Sequence, residues 1–358
     1  MGFAELEAVI VRLPNWTLLV GSVLLPALWA FGAPPRQKII LDTDPGADDA
    51  LAILLALNSP ELDVQALTVV AGNVVVEQGV ENALKLVSVA GRCDVPVAHG
   101  AAQPLAQKLT TAEFFHGRNG LGEVELPAPA CRADSRSAPD LIIELVRKYP
   151  QEITLVPVGP LTNLALAIQK DPAIVPLVKE VVLMGGALSG GNVTAVAEAN
   201  IHNDPEAARA VFEAGWPLTM VGLDVTQRTL FTRADLERLA GTRGPQNDCA
   251  VNVLKFLVGL AEKLGSTGTP MHDPLAVGAV IDRGLVETQE MRVEIETRGE
   301  FTRGQTVASR QNTSDRKVLR GDRYVVEGVE KLEPNARVAV GVDARRFIEL
   351  FISRIAGK

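Results

Sequence analysis

From Lys38 onward, short apolar runs rich in β-branched residues alternate with stretches whose apolar positions recur at helical spacing. Lys38–Asp42 reads as a strand and Ala47–Leu57 as a helix ended by Asn58-Ser59-Pro60. Val64–Ala71 is the next strand, and Glu77–Ala90 the next helix, stopped at Gly91. The alternation continues through a short strand-like Val95–Ala98, a helix at Asp140–Lys148, a strand at Ile153–Val158 and a helix at Leu161–Gln169. A strand at Val181–Met184, a helix at Pro205–Ala214 and a strand at Leu218–Asp224 follow. Helices at Val251–Leu264 and Asp273–Ile281 precede a strand-rich stretch, Met291–Val342, and a closing helix at Ala344–Ile355.

Strands apolar on both faces, each followed by a helix, predict an α/β fold: a mostly parallel, Rossmann-like sheet flanked by helices. The strand-rich stretch adds a small region near the C-terminus. No internal repeat or low-complexity linker interrupts the pattern, so residues 37–358 read as one domain behind an N-terminal extension, residues 1–36. Ligands of such sheets sit beyond the carboxyl ends of the strands, which makes the polar residues found there the place to look for chemistry.

The 358 residues are enough to bury a large core. Net charge is −8 with no basic stripe, and aromatics are 4% of the chain, which together exclude nucleic acid as a partner class. Cys93, Cys131 and Cys249 stand far apart with no C-x-x-C pair, so they read as free thiols rather than a disulfide framework or a zinc site. No residue between Arg12 and Arg36 is charged. Residues 13–35 are therefore expected to serve export or membrane attachment, the alternatives being a translated upstream extension or a helix lying on a cytoplasmic domain.

Asp42-Thr43-Asp44-Pro45-Gly46-Ala47-Asp48-Asp49 puts four carboxylates into eight residues at the end of the first strand. One acid there would be a helix cap. Four repel one another and raise each other's pKa unless a cation neutralises them, and a hard, many-oxygen ion such as Ca²⁺ suits the donor set.

A strand ending in D-x-D-P-G-x-D-D is the signature of the inosine–uridine-preferring nucleoside hydrolases, and IILDTDPGADDALAILLAL resembles it almost letter for letter. The resemblance continues in order. Leu67–Asn73 resembles the second strand with a ribose-contacting Asn73, and Leu155–Asn163 the segment whose Val158 carbonyl helps ligate calcium. Val182–Gly186, Asn192 and Ala197-Glu198-Ala199-Asn200 resemble the sugar-binding loop, although an aromatic is usual where Ala199 stands. His272-Asp273-Pro274 resembles the late H-D-P element. Taken singly, Gly185-Gly186 would be a tight turn, Asn200 a loop-stabilising side chain, Asp273 an N-cap, and His272 or His116 an ordinary surface or core residue.

The resemblance implies Ca²⁺-dependent hydrolysis of the N-glycosidic bond of a small-molecule ribonucleoside by a homo-oligomer, dimer or tetramer. Asp44, Asp49, Asp273 and the Val158 carbonyl would hold calcium, and Asp48 would activate water. Asn73, Asn192, Glu198 and Asn200 would contact ribose, and Asp42 would orient the cluster. His272 would protonate the leaving base, with His116 lining the base pocket. Relatives that place tyrosines on the preceding helix differ from this chain, where Val251–Leu264 offers only Phe256. Two other readings stand beside this one: a haloacid-dehalogenase-like phosphohydrolase, and a non-catalytic exported nucleoside-binding protein.

Overall fold

The computed structural model describes residues 36–309 and 333–357, with residues 316–320 and 323–327 described as strand backbone. The chain opens with β1 (Gln37–Thr43), α1 (Ala47–Asn58), β2 (Leu62–Val69), α2 (Val76–Val89), β3 (Val97–His99) and α3 (Glu113–His116). It continues through β4 (Asp134–Ser137), α4 (Ala138–Lys148), β5 (Ile153–Pro157), α5 (Thr162–Lys170), β6 (Glu180–Met184), α6 (Ala199–Asn203) and α7 (Pro205–Glu213). Then come β7 (Leu218–Val221), α8 (Leu223–Thr226), β8 (Leu230–Thr232), α9 (Arg233–Leu239), α10 (Pro245–Lys263), β9 (Gly268–Pro270) and α11 (His272–Ile281). The last elements are β10 (Val286–Ile295), β11 (Thr306–Ser309), β12 (Arg316–Arg320), β13 (Arg323–Glu327), β14 (Ala336–Val342) and α12 (Ala344–Ile355).

Ten strands form one sheet in the order β11-β10-β14-β7-β6-β5-β1-β2-β3-β4. Pairings from β14 through β4 are parallel, whereas β10 runs antiparallel to β14 and β11 antiparallel to β10. The expected α/β architecture is therefore present, and its C-terminal strand-rich part is the antiparallel end of the sheet plus the antiparallel pair β12 and β13. Consecutive residues of β1 feed opposite cores, as a strand's two-residue period requires: Ile39 and Leu41 pack in the layer containing α1, α10 and α11, and Ile40 in the layer containing α4 and α5.

From β1 the chain steps outward through β2, β3 and β4, then returns to place β5 on the other side of β1. Loops after β1 and β5 consequently lead to opposite faces, opening a crevice between them. This switch point receives the aspartate run after β1 and Val158 after β5, and a bond from Val158 N to the Asp42 carbonyl at 2.8 Å keeps the two strand ends in step.

Three expectations change. Leu218–Asp224 is not one strand: β7 ends at Val221 and Gly222 leads into the short α8. Cys93 and Cys131 are not free thiols but a disulfide, because the turn after α2 and the loop before β4 bring their Cα atoms to 5.3 Å despite a separation of 38 residues. Cys249 is free and buried. Finally, the expected export or membrane attachment is corrected: among the described residues no helix is long and apolar enough to cross a membrane, and residues 13–35 lie outside the described residues.

Candidate active site

The run after β1 folds back on itself through Asp49. Its Oδ1 accepts from the Thr43 hydroxyl at 2.5 Å and the Asp44 amide at 3.1 Å; its Oδ2 accepts from the Gly46 amide at 3.0 Å and Asn73 Nδ2 at 2.9 Å. These bonds wrap the turn that starts α1, and they use most of this carboxylate's accepting capacity. Asp44 lies deeper. Its Oδ2 accepts the Asn73 amide at 2.7 Å, while its buried Oδ1 has no partner. A Cβ on Gly72 would stand 2.0 Å from Asp44 Oδ2, and one on Gly159 would stand 2.5 Å from Oδ1. Only glycine at both places lets the carboxylate enter the gap between the ends of β2 and β5.

Asp42 points to the other side of β1, where its Oδ1 accepts from the Thr68 hydroxyl at 2.5 Å and Asn163 Nδ2 at 2.8 Å. Burial outweighs those two bonds and raises its pKa to about 7. Asp42 thus sits behind the cluster. Thr43, Thr68, Asn163, Gly72 and Gly159 are the supporting residues that sequence reasoning missed. The available signal was their position, within or shortly after strands that end at the crevice, with Asn163 in the first turn of α5.

Asp48, Asp49 and Asp273 each offer a carboxylate oxygen, all within 4.8 Å of one another. Asp273 comes from the first turn of α11, more than two hundred residues after β1, so this convergence is tertiary. Burial pushes Asp44 and Asp273 well above the ordinary carboxylate range, and repulsion from neighbouring acids adds to it. Asp48 and Asp49 are raised by the same burial. Orphaned buried oxygens on Asp48 itself and on neighbouring Asp44 are what a cation site leaves for its ion, so the residues fit a metal. The trio differs from the expected ligand set in taking Asp48 where Asp44 was named.

The two histidines converge on Asp48. His116 Nδ1 accepts the Ala47 amide at 3.1 Å, one of the free amides of the first turn of α1. That nitrogen therefore carries no proton, and its 3.4 Å approach to Asp48 Oδ1 is not an ion pair. His272 is held through Nδ1, 2.8 Å from the Thr226 hydroxyl. Burial lowers the pKa of both rings, opposed by Asp49 at His116 and by Asp48 at His272.

The expected ribose contacts fall into two groups. Asn73 stands in the crevice, binding Asp44 and Asp49. Glu198 is buried as the N-cap of α6, accepting from the amides of Gly186, Asn200 and Ile201 at 2.9, 2.9 and 3.1 Å. Asn200 Nδ2 donates to the carbonyls of Val158 at 2.7 Å and Met184 at 3.1 Å, so it ties β5 to β6 and occupies one lone pair of the expected calcium carbonyl. Asn192 is exposed, its Oδ1 accepting the Ala199 amide at 2.9 Å.

An open α/β sheet with buried carboxylates and two oriented imidazoles at its switch point defines an enzyme built for acid–base chemistry on a small ligand. Comparison with known proteins makes the class specific. The model of the inosine-uridine preferring nucleoside hydrolase family matches residues 39–349. A pyrimidine-specific ribonucleoside hydrolase, RihA of Salmonella arizonae, is 40% identical over 319 residues, 88% of this chain and 97% of the relative. Among solved structures, the purine-preferring ribonucleoside hydrolase of Gardnerella vaginalis superposes with a TM-score of 0.80 at 38% identity, covering 90% of this chain and 98% of the other. The plant nucleoside hydrolase PpNRh1 superposes with a TM-score of 0.83 at 35% identity, covering 90% and 99%. The chain belongs to the inosine-uridine preferring nucleoside hydrolase family, and it is a hydrolase of ribonucleoside N-glycosyl bonds.

Proposed function

We propose that the chain hydrolyses ribonucleosides in a Ca²⁺-dependent reaction in which Asp48 takes a proton from the attacking water and His272 gives one to the departing nucleobase. Water oxygen bonds to C1′ of the ribose, the C1′–N bond breaks, and the base leaves carrying the proton from His272. The supporting observation is the group Asp48, Asp49 and Asp273, drawn together across more than two hundred residues of sequence, with unpartnered carboxylate oxygens on Asp48 and Asp44. Asp44, Asp49, Asp273 and the Val158 carbonyl are the proposed ligands, with Asp48 at their edge. When bound, Ca²⁺ would supply the charge that neutralises these acids, holds vicinal hydroxyls and makes a nearby water more acidic.

Bond breaking leaves positive charge on the ribosyl ring, which the buried carboxylates stabilise electrostatically. Asn73, Asn192, Glu198 and Asn200 are the proposed ribose contacts, with Glu198 and Asn200 also fixing the strand ends through the bonds described above. His116, its Nδ1 committed to Ala47, can offer only Nε2–H, which fits a donor lining the base pocket. Asp44 is a second candidate for the base, because its Oδ1 is equally without a partner. Relatives of similar identity are named for pyrimidine specificity and for purine preference, so the proposal commits to ribonucleosides and to neither base. A dimer or tetramer is the proposed assembly.

A panel of purine and pyrimidine ribonucleosides, assayed for free ribose with Ca²⁺ and with excess chelator, tests the reading. Ribose release that stops with chelator and returns with Ca²⁺ is expected. Full activity in metal-free protein would remove the cation from the mechanism, and tight nucleoside binding without ribose release would make the chain a binding protein.

A further inference from the structure

His272 begins α11 directly after β9, and β9 pairs antiparallel with β8 as a two-stranded ribbon. The Met271 amide donates to the Thr229 carbonyl at 3.0 Å and closes that ribbon at its His272 end. This fixes the backbone of His272 but not its ring, because a torsion from sp³ to sp² carbon is broad and roughly two-fold. An unrestrained imidazole would present either edge to the crevice.

One side chain makes that choice. Thr226, wholly buried at the end of α8, sets its hydroxyl 2.8 Å from His272 Nδ1. Among the described residues the hydroxyl has no other hydrogen-bond partner. A threonine in a helix commonly turns its hydroxyl back to a carbonyl of its own preceding turn. This one reaches across to a segment 46 residues away. His116 is anchored through the same ring atom by a backbone amide, so both imidazoles have Nδ1 committed to the scaffold.

We infer that Thr226 is a positioning residue for the leaving-group acid: its hydroxyl holds the His272 ring through Nδ1, turning Nε2 toward the departing nucleobase. The inference rests on the reading of His272 as that acid. A hydroxyl is well chosen for the task, since it can accept from Nδ1–H or donate to bare Nδ1 and so holds the ring whichever nitrogen carries the proton. A carboxylate could only accept, and it would add charge to a crevice already crowded with acids.

Thr226→Val removes the hydroxyl while keeping the shape, and Thr226→Ser keeps the hydroxyl. Turnover of uridine and inosine is compared with that of 4-nitrophenyl riboside, whose phenolate leaves without needing a proton. General acid catalysis is worth ~10²–10⁴-fold, so a misaimed ring in Thr226→Val should lower kcat on both nucleosides by about tenfold or more. The nitrophenyl substrate should keep near wild-type kcat and KM, and Thr226→Ser should recover most of the nucleoside rate. Wild-type nucleoside turnover in Thr226→Val, or equal losses on all three substrates, would overturn the inference. His272→Ala separates it from the reading beneath. A nucleoside-selective loss in His272→Ala with no loss in Thr226→Val sinks only the role of Thr226, whereas equal losses on all substrates in His272→Ala sink the acid assignment itself. Should Thr226→Val fail to fold, Thr226→Ala takes its place with the same expected and overturning results.

Discussion

Asp49 accepts four hydrogen bonds, whereas Asp44 and Asp48 each keep one buried oxygen with no partner. Neighbours in one turn are thus divided between scaffold and reactive group. Asp48→Asn, assayed at saturating Ca²⁺, should lose several hundredfold of kcat, in line with the ~10²–10⁴-fold typical of a general base. Its affinity for Ca²⁺, measured by titration calorimetry, should fall far less. Asp44→Asn should weaken Ca²⁺ binding together with turnover. Near wild-type turnover in Asp48→Asn, with Asp44→Asn inactive although still binding Ca²⁺, would transfer the base to Asp44. The aspartates were readable from sequence because all but Asp273 lie in a single run of eight residues. What each carboxylate does was not readable, since it depends on amides and side chains from β2, the loop between β2 and α2, and α5. Glu198 and Asn200 illustrate the gap: read as sugar contacts, they also cap a helix and bind strand-end carbonyls.

At the scale of elements, most of the alternating strands and helices were legible, since long apolar periods survive any tertiary context. Short pieces were not: α3, α6, β8 and β9 span five residues or fewer and owe their conformation to what they dock on. α3 carries His116, and the polypeptide between β3 and β4 that includes it is pinned at its far end by the Cys93–Cys131 disulfide. That bond escaped the sequence reading because nothing in local spacing says that residues 38 apart meet. Closing such a loop in the unfolded chain is worth up to about 4 kcal/mol by chain entropy. Urea unfolding of Cys93→Ser/Cys131→Ser should therefore show a lower midpoint than the oxidised parent, and reductant should shift the parent alone. Identical midpoints for variant and parent would mean that the disulfide adds nothing to stability. Buried Cys249, its thiol pushed up to about 12, should stay unreactive in either protein until it unfolds.

For the whole molecule, the buried acids couple ion binding to pH. In the metal-free protein their folded pKa values lie above those of the unfolded chain, with Asp42 at about 7 and Asp44 and Asp273 raised well above normal. Groups shifted this way favour the fold fully below the unfolded value, ~3.9 for aspartate, and lose that contribution as pH rises through the folded value. Chelated protein should accordingly lose thermal stability between pH 5 and pH 8, and Ca²⁺, which binds the ionised acids, should raise Tm more at pH 8 than at pH 5. Equal Ca²⁺-induced shifts at the two pH values would separate the cation from the acids.

Asp48 and Asp49 leave the ribosome more than two hundred residues ahead of Asp273. During synthesis the early pair can stay hydrated and charged at no cost, because the surface that will bury them does not yet exist. Enclosure comes when α11 docks on α1 and delivers the last carboxylate. Closure of the hollow and the appearance of its affinity for an ion are then a single event, timed by the arrival of α11.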